Sequence, residues 1–243
     1  MSIENQSIVV TGAAQGIGEC IARTLAALGA RLLLADIQRD KVNAVADALR
    51  CNATWVDIAE PQSADEMIAT AINHYGRIDA LVNVAGIDAP YVDALDVTEA
   101  HWREIVDVDL NGPWWCTSAA LKPMVEQRSG RIVIISSVSG VAATPSISPA
   151  YAAAKGGLIG LVTSLSANVE KYGVLVNAII PGFVGSTGTP TPPDEAARYL
   201  DDFPLGMGGP QPVADAARYL LDDSGRWLSG VVMNVTGGFV RGR

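Results

Sequence analysis

Tyr151 and Lys155 stand four residues apart near the start of a helix-like stretch, a spacing that puts both side chains on one helix face. A free phenol titrates near pH ~10 and is a poor base at neutrality, whereas a neighbouring ammonium favours the phenolate. Each unit of lowering requires about 1.4 kcal/mol of preferential stabilisation. A tyrosine tuned in this way can pass a proton as a general acid or base. The same spacing is common on protein surfaces, so its meaning depends on what surrounds it.

A second constellation lies near the amino end. The apolar run Ile8-Val9-Val10 leads into Thr11-Gly12-Ala13-Ala14-Gln15-Gly16-Ile17-Gly18 and then into a helix-like segment. Glycines at such a turn let the backbone approach a diphosphate, which the free N–H groups and dipole of the following helix stabilise. Gly12, Gln15, Gly16, Ile17 and Gly18 are therefore candidate contacts to a dinucleotide, although the spacing is Gly-x-x-x-Gly-x-Gly rather than Gly-x-Gly-x-x-Gly. Asp36 follows Gly18 by 18 residues and ends the second apolar run. There a carboxylate can accept hydrogen bonds from an adenosine ribose and repels a 2′-phosphate. Gln15 in the loop and Ile37 after the acid provide no cation for that phosphate, so the residues point to NAD rather than NADP. Asp36 as a mere polar strand end is the alternative.

The elements that must position these groups alternate along the whole chain. Short apolar runs (Ile8–Val10, Leu32–Leu34, Thr54–Val56, Ala80–Val82, Ile132–Ile135, Leu175–Ile180, Val231–Met233) are separated by periodic segments such as Gly16–Leu28, Ser63–Tyr75, Glu99–Glu126 and Tyr151–Tyr172. Strands that read as continuous apolar runs are buried on both faces, which marks a parallel sheet covered by helices. The expectation is an α/β chain over residues 1–243: a doubly wound Rossmann-type parallel sheet with helices on both faces, in a single domain. The Pro- and Gly-rich patch Gly185–Pro212 reads as a functional loop, with a short substrate lid at about 185–210.

Composition narrows the partners. Apolar residues make up 49% of the chain and charged residues 18%, which fits a globular interior. The net charge of −9 opposes nucleic acid and anionic membrane surfaces alike. Ile132–Ala154 is uncharged and long, but its two prolines and its serines suit no membrane span, and no membrane partner is expected. Cys20, Cys51 and Cys116 are scattered and odd in number, so a reducing compartment fits and a metal site does not. The amino terminus lacks a signal-peptide pattern, and a cytoplasmic location is expected.

With these motifs in place the chain resembles the short-chain dehydrogenase/reductase family over almost its whole length. The Thr11–Gly18 loop, Asp57-Ile58, Asn83-Val84-Ala85-Gly86, Ser137, Tyr151-Ala-Ala-Ala-Lys155 and Pro181-Gly182 occur in family order. The resemblance implies an NAD-dependent alcohol dehydrogenase or ketone reductase acting on a small molecule. In that reading Tyr151 exchanges the proton of a carbonyl or alcohol oxygen as hydride is transferred. Lys155 holds the nicotinamide ribose and lowers the phenol pKa, and the positive ring of the oxidised cofactor adds to that effect. Ser137, delivered by the Ile132–Ile135 strand, binds the substrate oxygen. The Ser137–Tyr151 separation is one residue longer than usual, which leaves Ser136 and Ser139 as alternatives.

By the same resemblance Asp57 and Ile58 contact adenine. Asn83, Ala85 and Gly86 line the cofactor, with structural support as the more natural role of Asn83. Pro181, Gly182 and Val184 form the loop that meets the nicotinamide amide, and Ser186 stands where a threonine is common. Small residues on the Tyr151 helix (Ala152, Ala153, Gly156, Gly157, Gly160) imply helix contacts between subunits, in a homotetramer or, alternatively, a dimer.

One departure bears on the chemistry. The family usually has an asparagine at the position of Asp109, where it helps hold a water that links the lysine to solvent, and Asn111 lies on a different helix face. A carboxylate near Lys155 would neutralise part of the cation, and an active enzyme with a shifted pH optimum is expected. Asn234 replaces a more usual aspartate and is expected to affect packing. His74 and His101 are read as isolated from the motifs, Trp114 and Trp115 as packing groups, and Asp194 and Glu195 as first-turn acids of a lid helix. Competing readings are an NAD sensor of the same fold with lapsed catalysis, and a sugar-nucleotide epimerase or dehydratase, for which the chain is short. The loops Asp88–Tyr91, Val138–Ser148 and Phe183–Gly208 would line the substrate pocket. They hint at a neutral alicyclic or aromatic substrate.

Overall fold

The apolar runs become seven strands: β1 (Ser7–Thr11), β2 (Arg31–Asp36), β3 (Asn52–Trp55), β4 (Ala80–Asn83), β5 (Gly130–Ile135), β6 (Val174–Pro181) and β7 (Val232–Val235). The computed structural model describes residues 2–87, 92–144, 147–185, 197 and 204–241. Every pairing is parallel, and the strands lie in the order β3-β2-β1-β4-β5-β6-β7. This is the doubly wound, single-domain Rossmann-type sheet expected from the sequence.

Successive residues of a strand face opposite sides, so each apolar run feeds two cores. Ile8, Val10, Leu32, Leu34, Val133 and Ile135 pack with α1 (Gly16–Ala27), α2 (Arg39–Leu49) and a carboxyl-terminal helix (Gln211–Leu221, here α7). Val9, Leu33, Leu81, Ile132 and Ile134 pack with α3 (Pro61–Tyr75), α5 (Gly112–Gln127) and α6 (Pro149–Val169). Strands buried on both faces cannot alternate polar and apolar residues, which is why they read as unbroken apolar runs. Among the described residues, no helix is long and apolar enough to cross a membrane.

The segment Glu99–Glu126 does not form the one helix that its periodicity predicts. It divides into α4 (Glu99–Val106), a π-turn (Asp107–Asn111) and α5. The cause is in the sequence: Pro113 has no N–H, so the ordinary α-helical bond back to the Asp109 carbonyl cannot form, and the helix widens there. The widened turn carries Asp109 at its centre.

Strand order reverses between β1 and β4, because the chain winds outward through β2 and β3 before crossing to the other side of β1. The carboxyl ends of β1 and β4 therefore border a crevice, the place where open α/β sheets bind ligands. Both ends of the predicted site, the glycine loop and the Asn83–Gly86 segment, emerge there.

Candidate active site

The floor of the crevice is built from close backbone contacts. Thr11 ends β1, and its Oγ1 accepts hydrogen bonds from the N–H groups of Val84 (3.1 Å) and Ala85 (3.2 Å), which joins the glycine loop to the segment after β4. Gly12 has φ of +65°, and a Cβ there would stand 2.7 Å from the Ala85 nitrogen. A Cβ on Gly18, in the first turn of α1, would run into the carbonyl oxygen of Gly12. Both positions exclude any side chain, and Gly16, with φ of +59°, occupies the left-handed region that favours glycine. Ile17, in the first turn of α1, packs against the core. The loop thus fits a diphosphate: its backbone is bare at Gly12, Gly16 and Gly18, and it opens onto the amino end of a 12-residue helix whose N-cap, Gln15, makes no capping bond with its side chain.

Asp36 closes β2 and is 6% exposed. Its Oδ2 accepts the Ala14 N–H at 3.0 Å and its Oδ1 the Gln38 N–H at 2.9 Å, so the carboxylate also fastens the glycine loop to the end of β2. Ile37 beside it is 57% exposed. Gln15 and Ile37 carry no charge, but a cation reaches this end from α2. Lys41, in the first turn of α2, donates from Nζ to Gln15 Oε1 at 3.2 Å. The fold brings together what 26 residues of sequence separate.

Asp57 and Ile58 follow β3. The Asp57 carboxylate accepts the Ala59 N–H at 3.0 Å, and Ile58 is buried against Gly112. Asn83 is buried at the end of β4 and turns into α5, where its Nδ2 donates to Thr117 Oγ1 at 3.0 Å and to the Pro113 carbonyl at 3.5 Å. Its side chain braces the sheet against α5.

Lys155 and Asp109 meet under Gly86. The lysine Nζ lies 3.1 Å from Asp109 Oδ1, with side-chain exposures of 5% and 0%. The same oxygen accepts the Ile87 N–H at 3.1 Å. A Cβ on Gly86 would run into Asp109 Oδ1 and stand 3.1 Å from Lys155 Nζ, so the glycine makes room for the ion pair. The lysine ammonium also lies 5.3 Å from the centroid of the Tyr151 ring. Phenol, ammonium and carboxylate thus form one cluster held between α6 and the π-turn. Asn111 is elsewhere, donating from Nδ2 to Asp107 at 2.9 Å, as its register predicts.

The three serines after β5 differ in their commitments. Ser136 is buried and donates from Oγ to the Lys155 carbonyl at 2.7 Å. Ser139 is buried and accepts from Thr144 Oγ1 at 2.8 Å. Ser137, half-buried at the carboxyl end of β5, caps a short 3₁₀ turn by accepting the Ser139 N–H at 3.1 Å. Pro181 ends β6, Gly182 donates to the Val235 carbonyl at 3.0 Å, and Val184 bridges to Gly208. Ser186, the proposed lid acids Asp194 and Glu195, and the pocket residues Asp88–Tyr91 lie outside the described residues.

One further group, His101, was misread in the sequence. His101 is not remote from the motifs: its Nε2 lies 2.8 Å from Oγ of Ser148, the fully buried N-cap residue of the Tyr151 helix. Only the packing of α4 against α6 brings them together. Asn234 ties the last turn, with Nδ2 donating to the Val240 carbonyl at 2.7 Å and Oδ1 accepting from Thr236.

A family model described as enoyl-(acyl carrier protein) reductase matches residues 12–240. The chain belongs to the short-chain dehydrogenase/reductase family. It is 33% identical over 242 residues to the 3-oxoacyl-[acyl-carrier-protein] reductase FabG of Escherichia coli (strain K12), covering 98% of each chain. It is 35% identical over 243 residues to the 3-oxoacyl-[acyl-carrier-protein] reductase of Synechocystis sp., covering 97% of each. The oxidoreductase UcpA of Escherichia coli (strain K12) is 38% identical over 187 residues, which are 75% of this chain and 70% of that protein. The solved structure titled "Crystal structure of gox2181" superposes with a TM-score of 0.94 at 31% identity, covering 97% of this chain and 96% of that one. As a member of this family the chain is an oxidoreductase that binds a nicotinamide cofactor.

Proposed function

We propose that this oxidoreductase transfers hydride between NAD(H) and a secondary alcohol or ketone, with Tyr151 as its general acid and base. The observation that carries the reading is the cluster in which the Lys155 ammonium lies 5.3 Å from the Tyr151 ring and 3.1 Å from Asp109. A cation at that distance favours the phenolate, the state in which a tyrosine can accept a proton from an alcohol. When bound, the nicotinamide supplies or accepts the hydride.

The chain's own residues do the rest. Gly12, Gln15, Gly16, Ile17 and Gly18 receive the diphosphate at the head of α1. Asp36 and Ile37 meet the adenosine ribose, and a carboxylate there favours the unphosphorylated dinucleotide. Asp57, Ile58, Ala85 and Gly86 line the cofactor, and Asn83 braces their strand. Pro181, Gly182, Val184 and Ser186 border the nicotinamide. Ser137 is the serine free of a buried commitment, and its hydroxyl steadies the substrate oxygen as charge develops. Tyr151 delivers a proton to that oxygen in reduction and withdraws it in oxidation. Lys155 favours the phenolate, and Asp109 fixes the lysine and moderates its field.

The relatives' names specify a 3-oxoacyl group, which is itself a ketone and falls within this class. Among the described residues, exposed Gly160 has no neighbour within 4 Å of where a Cβ would stand, so none of them requires a small residue there. That supports a homo-oligomer packed through α6, and the reading also takes residues 185–210 as a lid and the cytoplasm as the location. The test is a panel of secondary alcohols, cyclic ketones and a 3-oxoacyl thioester, assayed with NAD(H) and followed by absorbance of the reduced cofactor. Turnover of at least one ketone–alcohol pair is expected. Tight cofactor binding with no turnover across the panel would contradict the reading.

A further inference from the structure

The adenosine end of the crevice carries two opposed charges. Asp36 is anchored by two backbone N–H groups at the end of β2, and one of them, that of Ala14, belongs to the glycine loop. The next loop residue, Gln15, holds the ammonium of Lys41 at 3.2 Å. The cation therefore stands one residue along the loop from the carboxylate's anchor point, beside the place where a ribose would rest. It is the exposed end of a long, flexible side chain, so it can exchange a neutral amide partner for an anion.

Lys41 is not explained by the needs of its helix. It lies in the first turn of α2, where the helix dipole disfavours a cation. The neighbouring Arg39 lies against Trp55 on the β3 side, its guanidinium 5.9 Å from the centroid of that ring. Of the basic residues at the head of α2, Lys41 is the one directed into the glycine loop.

The geometry points to Lys41 as a specificity-determining residue that lets this site accept the 2′-phosphorylated dinucleotide besides the unphosphorylated one. Asp36 sets the preference for a free 2′-hydroxyl, and Lys41 sets how much of the phosphorylated form is tolerated. The inference deepens the reading of the crevice as a nicotinamide-dinucleotide site and rests on it. Lysine binds a phosphate as a mobile point charge, and the gain at an exposed position is modest and weakened by salt.

The experiment is a fluorescence titration of the parent, Lys41→Ala and Lys41→Arg with NADH and with NADPH, at low and moderate salt. The parent is expected to bind both, with NADPH weaker and more salt-sensitive. In Lys41→Ala the ratio of the NADPH to the NADH dissociation constant should rise by about fivefold, the upper range for an exposed ion pair. Lys41→Arg should restore the ratio. A ratio that does not move in Lys41→Ala overturns the assignment. A parent that binds NADH but no NADPH also overturns it, while leaving the dinucleotide reading intact. A parent that binds neither overturns that underlying reading, and this one with it.

Discussion

Replacing Asp109 by asparagine removes one charge from the Tyr151 cluster while keeping an oxygen for Lys155 Nζ and the Ile87 N–H. At an effective dielectric of ~20, an ammonium 5.3 Å from the ring favours the phenolate by about 3 kcal/mol, roughly two pH units. Asp109 Oδ1 is 3.1 Å from that ammonium and so stands no more than about 8 Å from the ring, opposing the phenolate by about 2 kcal/mol. The sign follows directly. Without the carboxylate the phenolate forms more easily, so the limb of the oxidation rate that rises with pH should move to lower pH. Losing that opposition gives a shift of about 1.5 pH units, and the falling limb of the reduction rate should move the same way. The assay is kcat/KM against pH in both directions for the parent and Asp109→Asn, with thermal melting to show that the fold persists. Superimposable profiles, or a limb displaced to higher pH in a folded variant, would refute the reasoning.

Two further outcomes follow from the packing. In Gly18→Ala the new methyl group would meet the Gly12 carbonyl, which the loop cannot withdraw without opening; dinucleotide affinity should fall by more than about tenfold while the far-ultraviolet circular dichroism is kept, and unchanged affinity would count against the glycine loop as the diphosphate cradle. Burial pushes the Cys51 thiol up to about 11 and the Cys116 thiol up to about 12, and it also raises Cys20. The thiolate is the reactive form, so at pH 8 fewer than about one in a thousand Cys51 side chains would be ionised, and fewer still of Cys116. Titration with Ellman's reagent should be slow in the native protein and reach three equivalents after unfolding. Rapid reaction of Cys116 in folded protein would contradict its burial.

The sheet was legible in the sequence because each strand is buried on both faces and so appears as an unbroken apolar run. Helices on its two faces followed from the spacing between those runs. The π-turn was not foreseen, since periodicity carries the eye through residues 99–126; yet Pro113 is the visible mark of the interruption, and it could have been found by asking where its missing N–H leaves the carbonyl four residues back. The proximity of Asp109 to Lys155 was implied by the family resemblance, which sets Asp109 at the position of an asparagine near the lysine. Their common burial and the room that Gly86 leaves for them were not, because they depend on how β4 and the π-turn face each other. Lys41 beside Gln15 and His101 beside Ser148 escaped for the same reason. Each pair joins residues of different elements through side chains alone, and no local pattern announces such a meeting. Thr11 is a further case: its hydroxyl serves two amides more than 70 residues away, and only the β1–β4 pairing reveals it.

The most direct measurement is on Tyr151→Phe, which removes one oxygen and leaves the ring beside Lys155. The account predicts that kcat/KM for the best ketone–alcohol pair falls by at least about a thousandfold, within the range ascribed to a positioned proton donor together with its hydrogen bond, while the dissociation constant for NADH changes by less than about threefold. Turnover in the variant within about tenfold of the parent would show that the proton travels by another group, and would contradict the account at its centre.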